Sequence, residues 1–394
     1  MSLLPDEPHM RVVLSVQGVF HHFELANELH AQGKLERIYS TFPWVRLKRE
    51  AVPREMVQTF PLVHPVQMLL NRKGIELPQS LSWFLDHARV ETFDRWVARR
   101  IPDCDAFVAL SGCGLISGKV VKERGGRYVC DRCSTHIRYQ DQILTEEYLR
   151  WGIKIKAVDP RIIRREEAEY ALADAITVPS EFVRQSFLEM GVETAKVRKI
   201  PFGVNLQRFS PVSEPPNDTF EVVFVGQVNF RKGIPYLLDA FRSFSHPRKR
   251  LRIVGPVARE IRSFLGQHLP DNTEVLGAIP QSELKQVMSG SHVLVLPSIE
   301  EGLAFVQGQA MACGCPVIST TNSGGSDLFT NGVEGFEVPI RSAEAIREKF
   351  VQLADSPQLQ ATMRAAAIER VKSLGGWRDY GRHYMAFLAE LVSG

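Results

Sequence analysis

Residues 297–320, PSIEEGLAFVQGQAMACGCPVIST, constrain the fold of this chain more than any other stretch. The apolar run 292–296 ends at Pro297-Ser298, the chain turns through Ile299-Glu300-Glu301-Gly302, and a small-residue helix is expected to run to about Cys313. Gly314 sits where a helix ends on a left-handed residue, and Pro316-Val317-Ile318 begins a buried strand. Strand, turn, helix and strand in that order form one unit of a parallel sheet. Such a unit places Glu301, Gly302 and the helix start at the carboxyl edge of the sheet, where ligands of open α/β sheets bind. The first free amides of a helix, at the positive end of its dipole, suit a phosphate.

Spacing sharpens this reading. Glu301 and Gln309 are separated by roughly 12 Å along a helix rising 1.5 Å per residue, with the amides of Leu303, Ala304 and Phe305 near the first of them. A carboxylate, then amide donors, then a polar side chain two turns on fit the sugar, diphosphate and ribose of a nucleotide sugar. On spacing alone, an ordinary βαβ unit with a solvated Glu-Glu turn fits equally well.

At 394 residues the chain exceeds one typical domain and suits two of roughly 150–200. Its composition, 44% hydrophobic and 24% charged, supplies two packed cores. A net charge of +3 is too small on this length to imply a nucleic-acid partner, though it permits an anionic substrate or membrane surface. No run of eighteen apolar residues is present, so no spanning helix is expected. The start, MSLLPDEPHMRVVLSV, has acids before its apolar run and no basic region, unlike a signal peptide. The six cysteines sit mostly in apolar runs, and Cys130-x-x-Cys133 lacks a second pair at zinc spacing. Buried thiols in a reducing cytosol are the expectation.

Along the chain, strands are expected at 11–17, 35–40, 105–111, 127–132, 175–179 and 197–200. Helices are expected at 20–32, 81–100 (with Trp83, Phe84, Phe93 and Trp96 turned to the core) and 164–173. This alternation argues a doubly wound α/β domain. In 44–80, basic and apolar residues interleave, which suits an anionic lipid surface or an acceptor groove and reads more plainly as a surface insertion. Residues 211–219, PVSEPPNDT, read as the linker. A second alternation follows, with strands at 221–226, 251–255, 274–276 and 292–296 and helices at 234–243, near 257–268 and at 281–289.

The opening stretch resembles the retaining GT-B glycosyltransferases of family four. Their pattern is P-S-x-x-E-G-F-G, with a second Glu eight residues after the first, then A-M-A-x-G-x-P-V-I. The match holds at Pro297, Ser298, Glu301, Gly302, Ala310, Met311, Ala312, Gly314, Pro316, Val317 and Ile318. Leu303, Ala304 and Gln309 depart from it, Gln309 replacing the second Glu. The resemblance covers most of the second half, including PFGVNLQRFSP before the linker.

The resemblance implies a GT-B architecture: two Rossmann-like, doubly wound domains facing across a cleft. An acceptor-side domain would span 1–205 plus 378–394, its last helix crossing back from the second domain, and a donor-binding domain would span 206–377. It places Glu301 beside the transferred sugar, and Glu300 is expected to face solvent. FVGQVNFRKG at 224–233 matches the family's G-R-L-x-x-x-K-G at Gly226, Lys232 and Gly233, implying Lys232 on the diphosphate. Gln227 replaces the family's Arg, and Arg231 is the expected substitute for its charge. On the first domain, His136 in the S-T-H-I turn matches a His used against the donor sugar, and Gly18 matches the turn that approaches the diphosphate. His21 and His22 are acceptor-side candidates, and Asp327 falls at the place of the acid in G-G-x-x-E.

Asp103-Cys104-Asp105 leads into a buried strand, so no metal site and no cofactor beyond the nucleotide-sugar co-substrate are expected. The function implied is a metal-independent, hexosyltransferase-type transfer with retention, from a nucleotide sugar to a hydroxyl of a saccharide or lipid-linked saccharide. Surface-polysaccharide or glycolipid assembly is the implied setting, in the cytoplasm and with peripheral contact at the inner membrane face. A non-catalytic sugar-nucleotide-binding protein, motivated by Gln227, Ala304 and Gln309, is the alternative. A nonhydrolysing sugar-nucleotide epimerase shares the fold but fits the spacing around Glu301 less well.

Overall fold

The structure, a computed structural model, describes residues 10–72, 77–154 and 157–394. Two parallel sheets organise it. The first contains β1 (Val12–Val16), β2 (Leu35–Ser40), β3 (Val57–Thr59), β4 (Ala106–Leu110), β5 (Arg127–Asp131), β6 (Ala175–Val178) and β7 (Val197–Lys199), in the order β3-β2-β1-β4-β5-β6-β7. The second contains β8 (Phe220–Val225), β9 (Lys249–Val254), β10 (Thr273–Gly277), β11 (Val293–Leu296), β12 (Val317–Thr320) and β13 (Gly335–Val338), in the order β10-β9-β8-β11-β12-β13. The central strands β1, β11 and β12 are buried at every position, as near-continuous apolar runs covered on both faces require. The strand order reverses between β1 and β4, and again between β8 and β11. These are the switch points at which crevices open in α/β sheets. The chain therefore has the GT-B architecture of two Rossmann-like units.

The chain passes between the units at two adjacent segments. A Cβ on Gly203 would meet the Gly376 carbonyl carbon at 2.4 Å, and Val204 N donates to Gly375 O at 3.2 Å. The last helix, Trp377–Ser393, then runs over the first unit. Gly381 lets it approach Glu28 of the helix His22–Ala31, and its Tyr384 hydroxyl lies 3.0 Å from Thr177. Burial of Tyr380, Tyr384, Phe387 and Leu388 holds it there, at about 1.5–3 kcal/mol for each large apolar side chain.

Three expectations are corrected. Residues 211–219 lie on the second unit rather than between the two, because Val212 N bonds Ser289 and Arg364 binds Ser213 O and Glu214. The first helix starts at His22, not residue 20, since Phe20 adopts φ 45° in the turn. In the helix Gln79–Ala98, Phe93 is buried and Trp96 packs beside it, but Phe84 is exposed.

Candidate functional site

The second unit's switch point brings two loops together. Gly233, at φ 66°, ends the loop after β8 and caps the helix Ile234–Ser243. A Cβ there would stand 1.9 Å from the Pro297 carbonyl oxygen, so only glycine permits the approach. Ile299 N donates to Arg231 O at 2.8 Å and fixes the register of the two loops. As a result the Lys232 ammonium contacts the Glu301 carboxylate. The two sequence candidates, 69 residues apart, thus form one ion pair at the carboxyl edge of β8 and β11. Burial pushes the Lys232 ammonium down to about 7, and the Arg231 guanidinium acts in the same direction. The Glu300 carboxylate opposes both. Gly226 (φ 154°) lets the chain leave β8, and Gln227 is exposed beside it.

Glu300 is not at the surface; it is fully buried. Its Oε1 accepts from Ser134 Oγ (3.0 Å), Thr135 N (3.0 Å) and Thr135 Oγ1 (2.8 Å), and its Oε2 from Gln140 Nε2 (2.9 Å). Those donors belong to the first unit, whose loop after β5 covers the turn. Arg231 completes the ring, 2.8 Å from Glu300 Oε2 and 2.9 Å from Ser134 Oγ. Burial would raise the Glu300 carboxyl, but Arg231 and the hydrogen bonds from Gln140 and Thr135 overcome it and hold the group at about 2. The charge of Arg231, expected to serve a diphosphate, is engaged here by Glu300.

The helix Phe305–Ala312 begins beside this ring. Leu303 and Ala304 are buried ahead of it, while Phe305 is exposed and lies 4.9 Å from the Phe202 ring and 5.6 Å from Trp377. Gln309 lines a cavity of about 130 Å³ together with Leu303, Ala304, Phe305, Asn205 and Arg208. Lys232 and Glu301 are not in its lining. Gly308 packs against Val204, where a Cβ would come within 2.7 Å of a methyl group. Gln307, which no sequence signal singles out, is buried and donates to Ser323 O at 2.8 Å.

Gly302 brings the backbones of the two units close together. A Cβ there would lie 1.7 Å from the Cys133 carbonyl oxygen, and Gly302 O accepts from Ser180 Oγ at 2.7 Å. Asp327 also crosses the crevice, to Lys199 Nζ (2.7 Å) and the Glu181 amide (2.6 Å). His136 caps the helix Ile137–Arg150, its Nδ1 accepting from Arg138 N at 3.2 Å. The ring is buried near Tyr170 and Phe187, and burial, then Arg132, lowers it to about 4. His136 thus helps hold the 132–135 loop in place through its Nδ1 cap, and its backbone amide donates to Ser186 Oγ at 2.9 Å.

Gly18 (φ 82°) turns the chain after β1, its amide bonded to Thr41 Oγ1 at 2.9 Å. His21 and His22 are both buried near Asp131. His21 Nε2 lies 2.7 Å from Asp131 Oδ2, and its Nδ1 lies 3.7 Å from Cys133 Sγ. His21, Asp131 and Cys133 form a group with metal-ligating atoms. Burial pushes the Cys133 thiol well up, however, and a soft metal requires the thiolate.

Comparison with known proteins agrees with this architecture. Residues 207–370 match the family model described as Glycosyl transferases group 1. A protein of Escherichia coli K12 named for colanic acid biosynthesis, the glycosyltransferase WcaL, is 30% identical over 196 residues, covering 47% of this chain and 48% of its own. The D-inositol 3-phosphate glycosyltransferase of Kribbella flavida is 24% identical over 237 residues, 55% of this chain and 56% of its own. The chain thus spans about half the length of the curated relatives it matches. Among solved structures, sucrose-phosphate synthase from Thermosynechococcus elongatus superposes with a TM-score of 0.73 at 21% identity, over 97% of this chain and 99% of its own. Anabaena HepE in complex with UDP-glucose superposes at 0.67 and 15% identity, over 97% and 100%. At these identities the structures speak to the fold.

Proposed function

We propose, from the match of residues 207–370 to the family model of the group 1 glycosyl transferases, that this chain moves a sugar from a nucleotide-diphosphate sugar to a hydroxyl acceptor, with retention and without a metal. The observation that carries the reading is the Lys232–Glu301 pair at the switch point, beside the start of the helix Phe305–Ala312. The donor diphosphate displaces Glu301 as the partner of Lys232 and takes further hydrogen bonds from the amides of 303–305. Glu301 is thereby released to accept from hydroxyls of the sugar. Gln309, across the cavity from Asn205 and Arg208, accepts from one ribose hydroxyl and donates to the other.

In the reaction, the acceptor oxygen bonds to the anomeric carbon as the bond from that carbon to the diphosphate breaks. The electron pair of the broken bond leaves with the diphosphate, and the hydroxyl proton passes to its oxygen. The developing charge is met by groups already positioned for it, the largest contribution in most such catalysis. On closure of the units Gly18 approaches the diphosphate and His136 the donor sugar, and His136 also caps the helix that follows the loop covering Glu300 and Gly302. The setting proposed is assembly of a surface polysaccharide or glycolipid at the inner face of a membrane.

A thermal-shift panel of UDP, GDP and ADP sugars in chelator tests this. One donor class should raise the melting point, since ligand at a hundred times Kd stabilises by about 2.7 kcal/mol. Glu301→Ala should keep nucleoside-diphosphate binding and lose turnover. A panel with no shift would remove the reading, and binding without turnover on any acceptor would favour a non-catalytic binder.

A further inference from the structure

Six of the fourteen exposed large apolar side chains among the described residues fall between positions 45 and 84: Val45, Leu62, Val66, Leu69, Leu81 and Phe84, each 42–77% exposed. Their arrangement is ordered. The helix His64–Arg72 lies beside the helix Gln79–Ala98 through a polar residue, with Gln67 bonded to Asp86 (3.1 Å) and Arg89 (3.2 Å). Its Val66 and Leu69 are one turn apart and face outward, continuing from Leu62 just before the helix. Leu81 and Phe84, again one turn apart, stand on the neighbouring helix within two turns of Asp86. Met68 packs against the core, His64 packs on Phe42 and Gln67 bonds the neighbouring helix. Among the described residues, Val66 and Leu69 form an exposed apolar stripe on the opposite side, a second apolar face beyond the one a surface helix gives to a core.

Cations border the stripe. Arg46, Lys48 and Arg49 are exposed on and just after the short helix Trp44–Leu47, and Arg46 reaches Met68 Sδ at 3.6 Å. The same helix meets the crevice at its other end. His64 Nδ1 is 2.6 Å from Thr41 Oγ1, which accepts from the Gly18 amide at 2.9 Å.

We propose that this face docks the protein on an anionic lipid bilayer and presents the acceptor, as a lipid-linked saccharide, to the Gly18 side of the crevice. The inference rests on the transferase reading and names the acceptor class for it. An apolar stripe flanked by cations matches the two terms of interfacial binding, insertion among acyl chains and attraction to anionic headgroups. A second copy of the chain fits worse, because a two-fold contact over the stripe would set Arg46, Lys48 and Arg49 against themselves.

Vesicle co-sedimentation of the full chain tests this with phosphatidylglycerol–phosphatidylcholine vesicles against pure phosphatidylcholine. Binding should require the anionic lipid and weaken with salt. Val66→Ser/Leu69→Ser/Phe84→Ser should weaken partitioning by at least about tenfold, and Lys48→Glu by about fivefold. Melting point and the sugar-nucleotide shift should stay at wild-type values in both variants. Wild type that stays in the supernatant, a triple variant that binds like wild type, or a dimer that the triple variant splits would each overturn the proposal. Wild type that fails to bind vesicles but keeps the donor shift refutes the docking face alone, whereas absence of the donor shift in wild type refutes the transferase reading.

Discussion

Glu300→Ala would remove one carboxylate that four first-unit donors and Arg231 share. Breaking a buried ion pair from one side costs about 3–5 kcal/mol, because the partner charge stays behind. Arg231 keeps 30% side-chain exposure, so water takes up part of that load and the lower end, about 3 kcal/mol, is the expected figure. The donors and the acceptor belong to different units, so the loss falls on their docking rather than on the folding of either. At 1.4 kcal/mol per tenfold, the closed form should lose about a hundredfold in population. Solution scattering should then show a larger radius of gyration, and calorimetry a weaker sugar-nucleotide affinity. A cycle of Glu300→Ala, Arg231→Ala and the double variant should give a coupling of about 0.5–3 kcal/mol. The acid response follows the same sign. Glu300 is held at about 2 against an ordinary 4.5, so its contribution is complete above about pH 4.5 and is lost as pH falls toward 2. Unchanged scattering and donor affinity within twofold in Glu300→Ala would refute the reasoning.

Two further outcomes bear on the same crevice. Gly302→Ala should abolish turnover while each unit keeps its helical circular dichroism, because the new Cβ would fall 1.7 Å from a backbone oxygen that has no side chain to yield; wild-type turnover would show that the closed arrangement is not the working one. Affinity for an intact nucleotide-diphosphate sugar, whose charge is constant near neutrality, should fall as pH rises past a midpoint at or above about 7, where Lys232 loses its proton; a flat profile from pH 6 to 9 in wild type, or the same slope in Lys232→Ala, would remove Lys232 from the diphosphate.

The long, local signals were legible in the sequence. The run 297–320 carries its own strand, turn, helix and strand, and each is marked by residue type: the Pro297-Ser298 stop, Gly314 at φ 72°, and the buried Val317–Thr320. The pairing of Lys232 with Glu301 was reachable because both positions follow strands that end at one switch point. Residues 44–72 resisted, since they form elements of three to nine residues, most of them shorter than two helical turns. At His136 the structure shows a local role that the sequence did not. A His after a strand end reads as chemistry, but its Nδ1 serves as a helix-cap acceptor, a role usually taken by Ser, Thr, Asp or Asn.

Glu300 was misjudged because the side on which a turn residue is covered depends on what approaches it from elsewhere. Its partner Thr135 lies 165 residues away, Asp327 meets Lys199 across 128, and Glu147 meets Arg341 across 194. No window of local sequence contains such a pair. That these cross-crevice links are polar is itself informative about motion. Hydrogen-bonded contacts exchange with water at little net cost, about 0.5–1.5 kcal/mol each, whereas a broad apolar seam would hold the units shut. Apolar contacts gather at the crossing, where Phe202, Phe305, Trp377 and Tyr380 pack around the two chain passages, and at a second seam, where Tyr148 and Trp151 of the first unit pack on Phe230, Tyr236 and Phe264 of the second. For the units to part at Glu300 and Gly302 while remaining joined at Gly203 and Gly376, both the polar links and the Trp151 cluster must open. The proposed seating of a donor on Lys232 requires such an opening, because the pair with Glu301 must part to admit it.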